Sequence, residues 1–204
     1  MGNVISLARE RAVRAASGHQ PRPRATFYFD LTSPFTYLAA ERVDRHFGDV
    51  DWRPVLCDAL PAGTDVELAQ TRAEILHMPL VWPERYPSGR AAMRVAAMAT
   101  EEGRAAPFAL AAGRLAFCGG FDLDDPEVLA EAAAAAGLAL DECLHAAGDR
   151  ARDAELDRLG RSLVEHGADC MPALRIGRDL FCGEHRISEA AAALRDGRFS
   201  RHQA

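Results

Sequence analysis

A serine directly ahead of a proline, Ser33-Pro34, ends the apolar run Thr26-Phe27-Tyr28-Phe29-Asp30-Leu31-Thr32 and opens Phe35-Thr36-Tyr37-Leu38-Ala39-Ala40-Glu41. The run reads as a buried strand and its continuation as a helix, because a proline in a first helical turn forfeits no intrahelical hydrogen bond. A helix start carries free backbone N–H groups and the positive end of the dipole, so an anion placed there is stabilised. A thiolate is such an anion, and the Ser33 hydroxyl is a donor that could reach it. Serine is equally a favoured capping residue, and local sequence alone prefers that simpler role.

Other chemistries find less support. The five cysteines, Cys57, Cys118, Cys143, Cys170 and Cys182, contain no C-x-x-C pair, which fits neither a secreted disulfide framework nor a structural zinc site. That usage points to a reducing compartment, and the cytoplasm is the expected location. The seven histidines form no H-E-x-x-H motif, so no metal is expected. All 24 basic residues are arginine, which excludes a Schiff-base lysine and a P-loop. A formal net charge of −6 speaks against a nucleic-acid partner. No apolar run approaches the roughly 20 residues that span a bilayer, so no membrane partner is expected. At the amino terminus Met1-Gly2-Asn3-Val4-Ile5-Ser6 matches a myristoylation pattern, and Arg9, Arg11 and Arg14 suit a transit peptide. Both patterns are common by chance, and a short surface helix followed by the linker 17–24 is preferred.

At 204 residues the chain holds one well-buried domain, or one domain with a large insertion. The first strand (about 26–31) and helix (about 34–47) are followed by a second strand, about 51–56, giving a β-α-β unit with a right-handed crossover. Helical patterns then occupy about 64–76, 88–103, 105–117, 125–136, 139–147 and 151–166. Two short strands around Gly177-Arg178-Asp179 form a hairpin over about 173–182, and a last helix covers about 186–196. This order predicts an α/β, thioredoxin-like fold with an all-helical domain inserted after the second strand. Its parts are an N-terminal extension (1–25), a discontinuous thioredoxin-like domain (26–58 and 151–196), a helical insertion (59–150) and a C-terminal tail (197–204). The hairpin is expected beside the first strand, bringing 170–172 next to Ser33.

Four segments carry a family resemblance across roughly 26–195. They are Phe27 to Leu38 with its S-P-F-x-Y-L pattern, Met78-Pro79-Leu80-Val81-Trp82-Pro83-Glu84-Arg85-Tyr86-Pro87, the stretch from Ala116-Phe117 through Gly120-Phe121-Asp122-Leu123 to Gly137-Leu138, and Gly167-Ala168-Asp169-Cys170-Met171-Pro172-Ala173-Leu174 with Leu180-Phe181-Cys182-Gly183-Glu184-His185-Arg186-Ile187. Together they resemble 2-hydroxychromene-2-carboxylate isomerases and kappa-class glutathione transferases, within the DsbA-like branch of thioredoxin-like proteins. The resemblance implies glutathione as cosubstrate, with Ser33 as catalytic residue holding its thiolate at the helix N-terminus, and with the four segments it favours that role over the cap. It implies a cis Met171-Pro172 bond, and the backbone of Met171 pairing with the cysteinyl part of glutathione. It implies an aromatic or electrophilic small-molecule substrate and a homodimer. An isomerase would add the thiolate, let the adduct rotate about a bond, and eliminate it.

Departures from the pattern accompany it. Where the family usually reads G-x-D-R and its acid helps hold the γ-glutamyl ammonium, this chain has Gly183-Glu184-His185-Arg186. Glu184 is either a substitute for that acid or a solvated charge at a helix start. The lysine and asparagine that the family often presents after the second strand are absent, since asparagine occurs only at Asn3. Arg53 or Arg72 could take a carboxylate in their place, or be surface charges. Trp82 and Tyr86 either line a flat substrate site or pack as core and lid. Two other readings compete with the enzyme: a non-catalytic thioredoxin-like module binding another thiol or a peptide, and a disulfide oxidoreductase, which the serine disfavours because it cannot form a mixed disulfide.

Overall fold

The computed structural model describes residues 24–56, 58, 60, 65–83, 85–86 and 88–196. The amino-terminal patterns, the linker up to Pro23, Cys57, Glu84, Pro87 and the tail 197–204 lie outside the described residues.

Strand β1 (Ala25–Phe29) runs through the turn Asp30 to Ser33 into helix α1 (Pro34–His46), and β2 (Val50–Pro54) returns beside β1. Six helices follow: α2 (Val66–Leu76), α3 (Arg90–Glu101), α4 (Ala105–Phe117), α5 (Pro126–Ala136), α6 (Leu140–Gly148) and α7 (Arg152–Glu165). Strands β3 (Ala173–Ile176) and β4 (Asp179–Cys182), a short 3-10 turn (Glu184–Arg186) and α8 (Ile187–Asp196) complete the order. The sheet order is β2-β1-β3-β4, with β1 parallel to β2 and antiparallel to β3. This is the expected thioredoxin-like arrangement, with the helices from α2 to α7 entering between the second strand and the hairpin. The helix and strand bounds fall within two residues of the sequence expectation, the usual fraying of element ends.

The period-2 alternation of β1 divides the core. Phe27 and Phe29 face one side, where Trp52 meets Phe27 edge-on at 4.7 Å, and this side packs with α1, α3, α4 and α8. Tyr28 faces the other side, with Ala173, Cys182 and Leu163 of α7. Both faces are therefore covered, which suits a near-continuous apolar strand. Among the described residues no helix is long and apolar enough to cross a membrane.

The register fixes where the chemistry can sit. Phe29 pairs with Pro54, Tyr28 with Ala173, and Ala173 with Cys182. The turn after β1, the residues before β3 and those after β4 consequently meet at one end of the sheet, above the N-terminus of α1.

Candidate functional site

The turn into α1 is held by Asp30. Its Oδ1 accepts the Thr32 N–H at 2.9 Å and the Thr32 hydroxyl at 2.7 Å, while its C=O accepts the Ser33 N–H at 3.1 Å. These bonds make a local side-chain turn of the kind aspartate favours. Asp30 is 8% exposed, so the carboxylate is an internal strut rather than a solvated charge. Two further groups press on the turn: the Tyr86 hydroxyl donates to the Thr32 C=O, and Gly89 lies against the Thr32 methyl. Gly89 has φ +66°, and a Cβ there would collide with that methyl, so glycine is required on both counts.

Ser33 occupies the cap position of α1 with φ −88° and ψ 122°, followed by Pro34 at the helix start. Its hydroxyl makes no capping hydrogen bond. Ser33 therefore stands at the cap position by its backbone alone. The half-buried hydroxyl remains an available donor beside the first N–H groups of the helix.

The opposite wall is the segment before β3. The Met171-Pro172 bond is cis, as the resemblance implied. The Pro172 C=O accepts the Gly183 N–H at 2.7 Å, whereas no hydrogen bond to the Met171 N–H or C=O occurs among the described residues. Met171 itself is 9% exposed and packs with Tyr28, Val55 and Cys182. Its backbone thus has the free edge that an extended ligand segment can pair with.

The two residues after Gly183 behave differently from each other. Glu184 is 1% exposed, and both its oxygens are engaged: Oε2 by Arg42 Nη1 at 2.8 Å and Oε1 by Arg72 Nε. It is not a solvated helix-start charge. Buried and bonded to both guanidiniums, it is an anchor for two arginines. His185 is exposed, with its ring lying over Gly183.

Of the two arginines considered as carboxylate partners, Arg72 belongs to this cluster, while Arg53 is an exposed charge paired with Asp51 at 2.8 Å. Arg42 had no sequence signal: its partner lies 142 positions away in the chain. Trp82 packs edge-on against Phe117 at 6.2 Å, on the core side, while Tyr86 stays 45% exposed over the turn. The Tyr86 phenol is pushed up to about 12, chiefly by burial and further by Asp30, so it stays protonated and a donor at neutral pH.

Among the described residues, Cys170 and Cys182 near this end are not reactive thiols. Burial first, then Asp169, pushes the Cys170 thiol up to about 12, and burial likewise raises Cys182. A thiol so shifted is almost wholly protonated near neutrality and is a poor nucleophile.

Comparison with known proteins follows this geometry. The model of the DSBA-like thioredoxin domain family matches residues 25–195. The structure is similar to a 2-hydroxychromene-2-carboxylate isomerase, with TM-score 0.70 and 20% identity over 84% of this chain and 94% of the other. It is similar to a probable DsbA oxidoreductase from Streptomyces coelicolor, with TM-score 0.64 and 20% identity over 89% and 94%. It is also similar to the thiol-disulfide exchange protein α-DsbA2 from Wolbachia pipientis, with TM-score 0.54 and 16% identity over 88% and 83%. At these identities the likeness is one of fold. No curated protein matches the sequence.

Proposed function

The chain belongs to the DSBA-like thioredoxin domain family, and from that premise we propose that it is a glutathione-dependent enzyme, an isomerase of the 2-hydroxychromene-2-carboxylate type or a kappa-like glutathione transferase. The observation that carries this reading is the Ser33 hydroxyl, set on a helix N-terminus with no capping bond of its own. A thiolate lying between that hydroxyl and the Met171 edge receives one charge-assisted hydrogen bond and the helix field, both of which favour the ionised form.

The chemistry asked of the protein is small. Ser33 keeps its proton and donates a hydrogen bond to the sulfur, the ligand thiol gives its proton to solvent, and the Met171 N–H and C=O orient the cysteinyl backbone. The sulfur then adds to the electrophile, the adduct rotates, and elimination returns the thiolate. Dithiol exchange needs an attacking thiolate, which neither Ser33 nor the shifted Cys170 and Cys182 provides. The substrate contacts belong to the side carrying Tyr86, which overhangs the turn. The homodimer and the cytoplasmic setting are part of the same proposal.

Ultraviolet titration of bound glutathione, with an isomerisation and a conjugation assay, tests it. Thiolate absorbance at neutral pH in the wild type, diminished in Ser33→Ala, supports the reading. Absence of glutathione binding and of both activities overturns it.

A further inference from the structure

The Arg42–Glu184–Arg72 cluster is not balanced. Each carboxylate oxygen takes one N–H, from Arg42 Nη1 and from Arg72 Nε. A guanidinium has five such donors, and among the described residues no second acceptor serves either arginine. The two side chains are 19% and 26% exposed, so each guanidinium is partly open to solvent. Among the described residues two cations meet one anion here, which leaves a surplus positive charge in a partly dry position, the setting in which a guanidinium recruits an anion. Arg186 nearby is already matched by Glu189 at 2.6 Å.

The cluster adjoins the thiol site. Glu184 follows Gly183, whose N–H holds the Pro172 carbonyl. Arg42 shares α1 with Ser33, about 13 Å further along its axis at 1.5 Å per residue. A small extended molecule spans that length.

We propose that Arg42 and Arg72, aimed by the buried Glu184, form an anion subsite that takes the carboxylate, phosphate or sulfonate tail of the thiol cosubstrate. The assignment of the anion to a thiol's tail rests on the function proposed above; anion binding by the arginines does not.

Two measurements separate these claims. Inorganic sulfate, titrated by calorimetry at constant ionic strength, binds the wild type, and Arg42→Gln and Arg72→Gln each weaken it at least tenfold. Glu184→Gln frees donors on both guanidiniums and tightens sulfate about tenfold, and Arg53→Gln changes nothing. Glu184→Gln decides the point if the arginine variants do not fold. Sulfate affinity equal in all variants, or absent from both wild type and Glu184→Gln, overturns the subsite. In the second measurement glutathione binds the wild type, and Arg72→Gln weakens it at least tenfold. Arginine-dependent sulfate binding with no binding of glutathione, or with glutathione affinity unchanged in Arg72→Gln, leaves the anion site standing and sinks the cosubstrate reading.

Discussion

The two ends of the candidate site are built on opposite plans. At the Ser33 end, Asp30 to Pro34, one carboxylate closes its own turn, Tyr86 and Gly89 brace it from outside, and the Ser33 hydroxyl makes no capping bond. At the tail end, Glu184 is buried and joined to arginines on α1 and α2, 142 and 112 positions away in sequence. Local construction frees a side chain for a ligand, whereas long-range construction spends one carboxylate to hold two cations in place. Removing a residue should accordingly disturb chemistry more at the first end and stability more at the second.

The largest effect is expected from Arg72→Gln. Leaving the buried Glu184 carboxylate with one partner costs about 3 kcal/mol in urea unfolding, and a loss under about 1 kcal/mol would erase the contrast between the ends. Next comes Asp30→Ala. It strips the acceptor from the Thr32 N–H and hydroxyl, for about 2 kcal/mol, and it should lower thiol activation as well because Ser33 loses its frame. Asp30→Asn keeps an acceptor and separates the two effects.

An ion pair between α3 and α7 calibrates the scale. Asp153 on α7 accepts two N–H groups from Arg94 on α3, at 2.6 and 2.7 Å, and the hydrogen bond from Arg94 holds its carboxyl below the ordinary 3.8. A folded-state pKa below the unfolded value gives stability that is complete above about pH 4 and lost as the pH falls through the folded value. Asp153→Asn should therefore flatten the acid limb of the stability profile, by about 1 kcal/mol after solvent screening. An unchanged acid limb contradicts the pairing. Smallest of all is the stability effect of Ser33→Ala, expected within about 0.5 kcal/mol of wild type, below the usual cost of losing a side-chain cap. A loss of 1 kcal/mol or more would make Ser33 a cap after all.

The same contrast explains what could be read from the sequence. The Phe27-Tyr28-Phe29 alternation, the Ser33-Pro34 helix start and the Gly177-Arg178-Asp179 turn are short-range signals, and each element appears in the structure where those signals put it. The meeting of Ser33 with Met171-Pro172 at one sheet end followed from strand order alone. The fate of Glu184 did not. Nothing in the tetrapeptide Gly183-Glu184-His185-Arg186 reports that the carboxylate is 1% exposed, because its burial is set by α1 and α2 closing over it. Tyr86 was noticed as an aromatic, but its hydrogen bond to Thr32 depends on how the loop before α3 returns across the turn.

The most direct test of the account is the pKa of the glutathione thiol when bound, read from thiolate absorbance in the wild type and in Ser33→Ala. One hydrogen bond to a charged sulfur is worth about 1.5–3 kcal/mol, so the alanine variant should raise that pKa by about 1–2 units while its fold stability is unchanged. An identical thiol pKa in the two proteins, with glutathione bound in both, would contradict it.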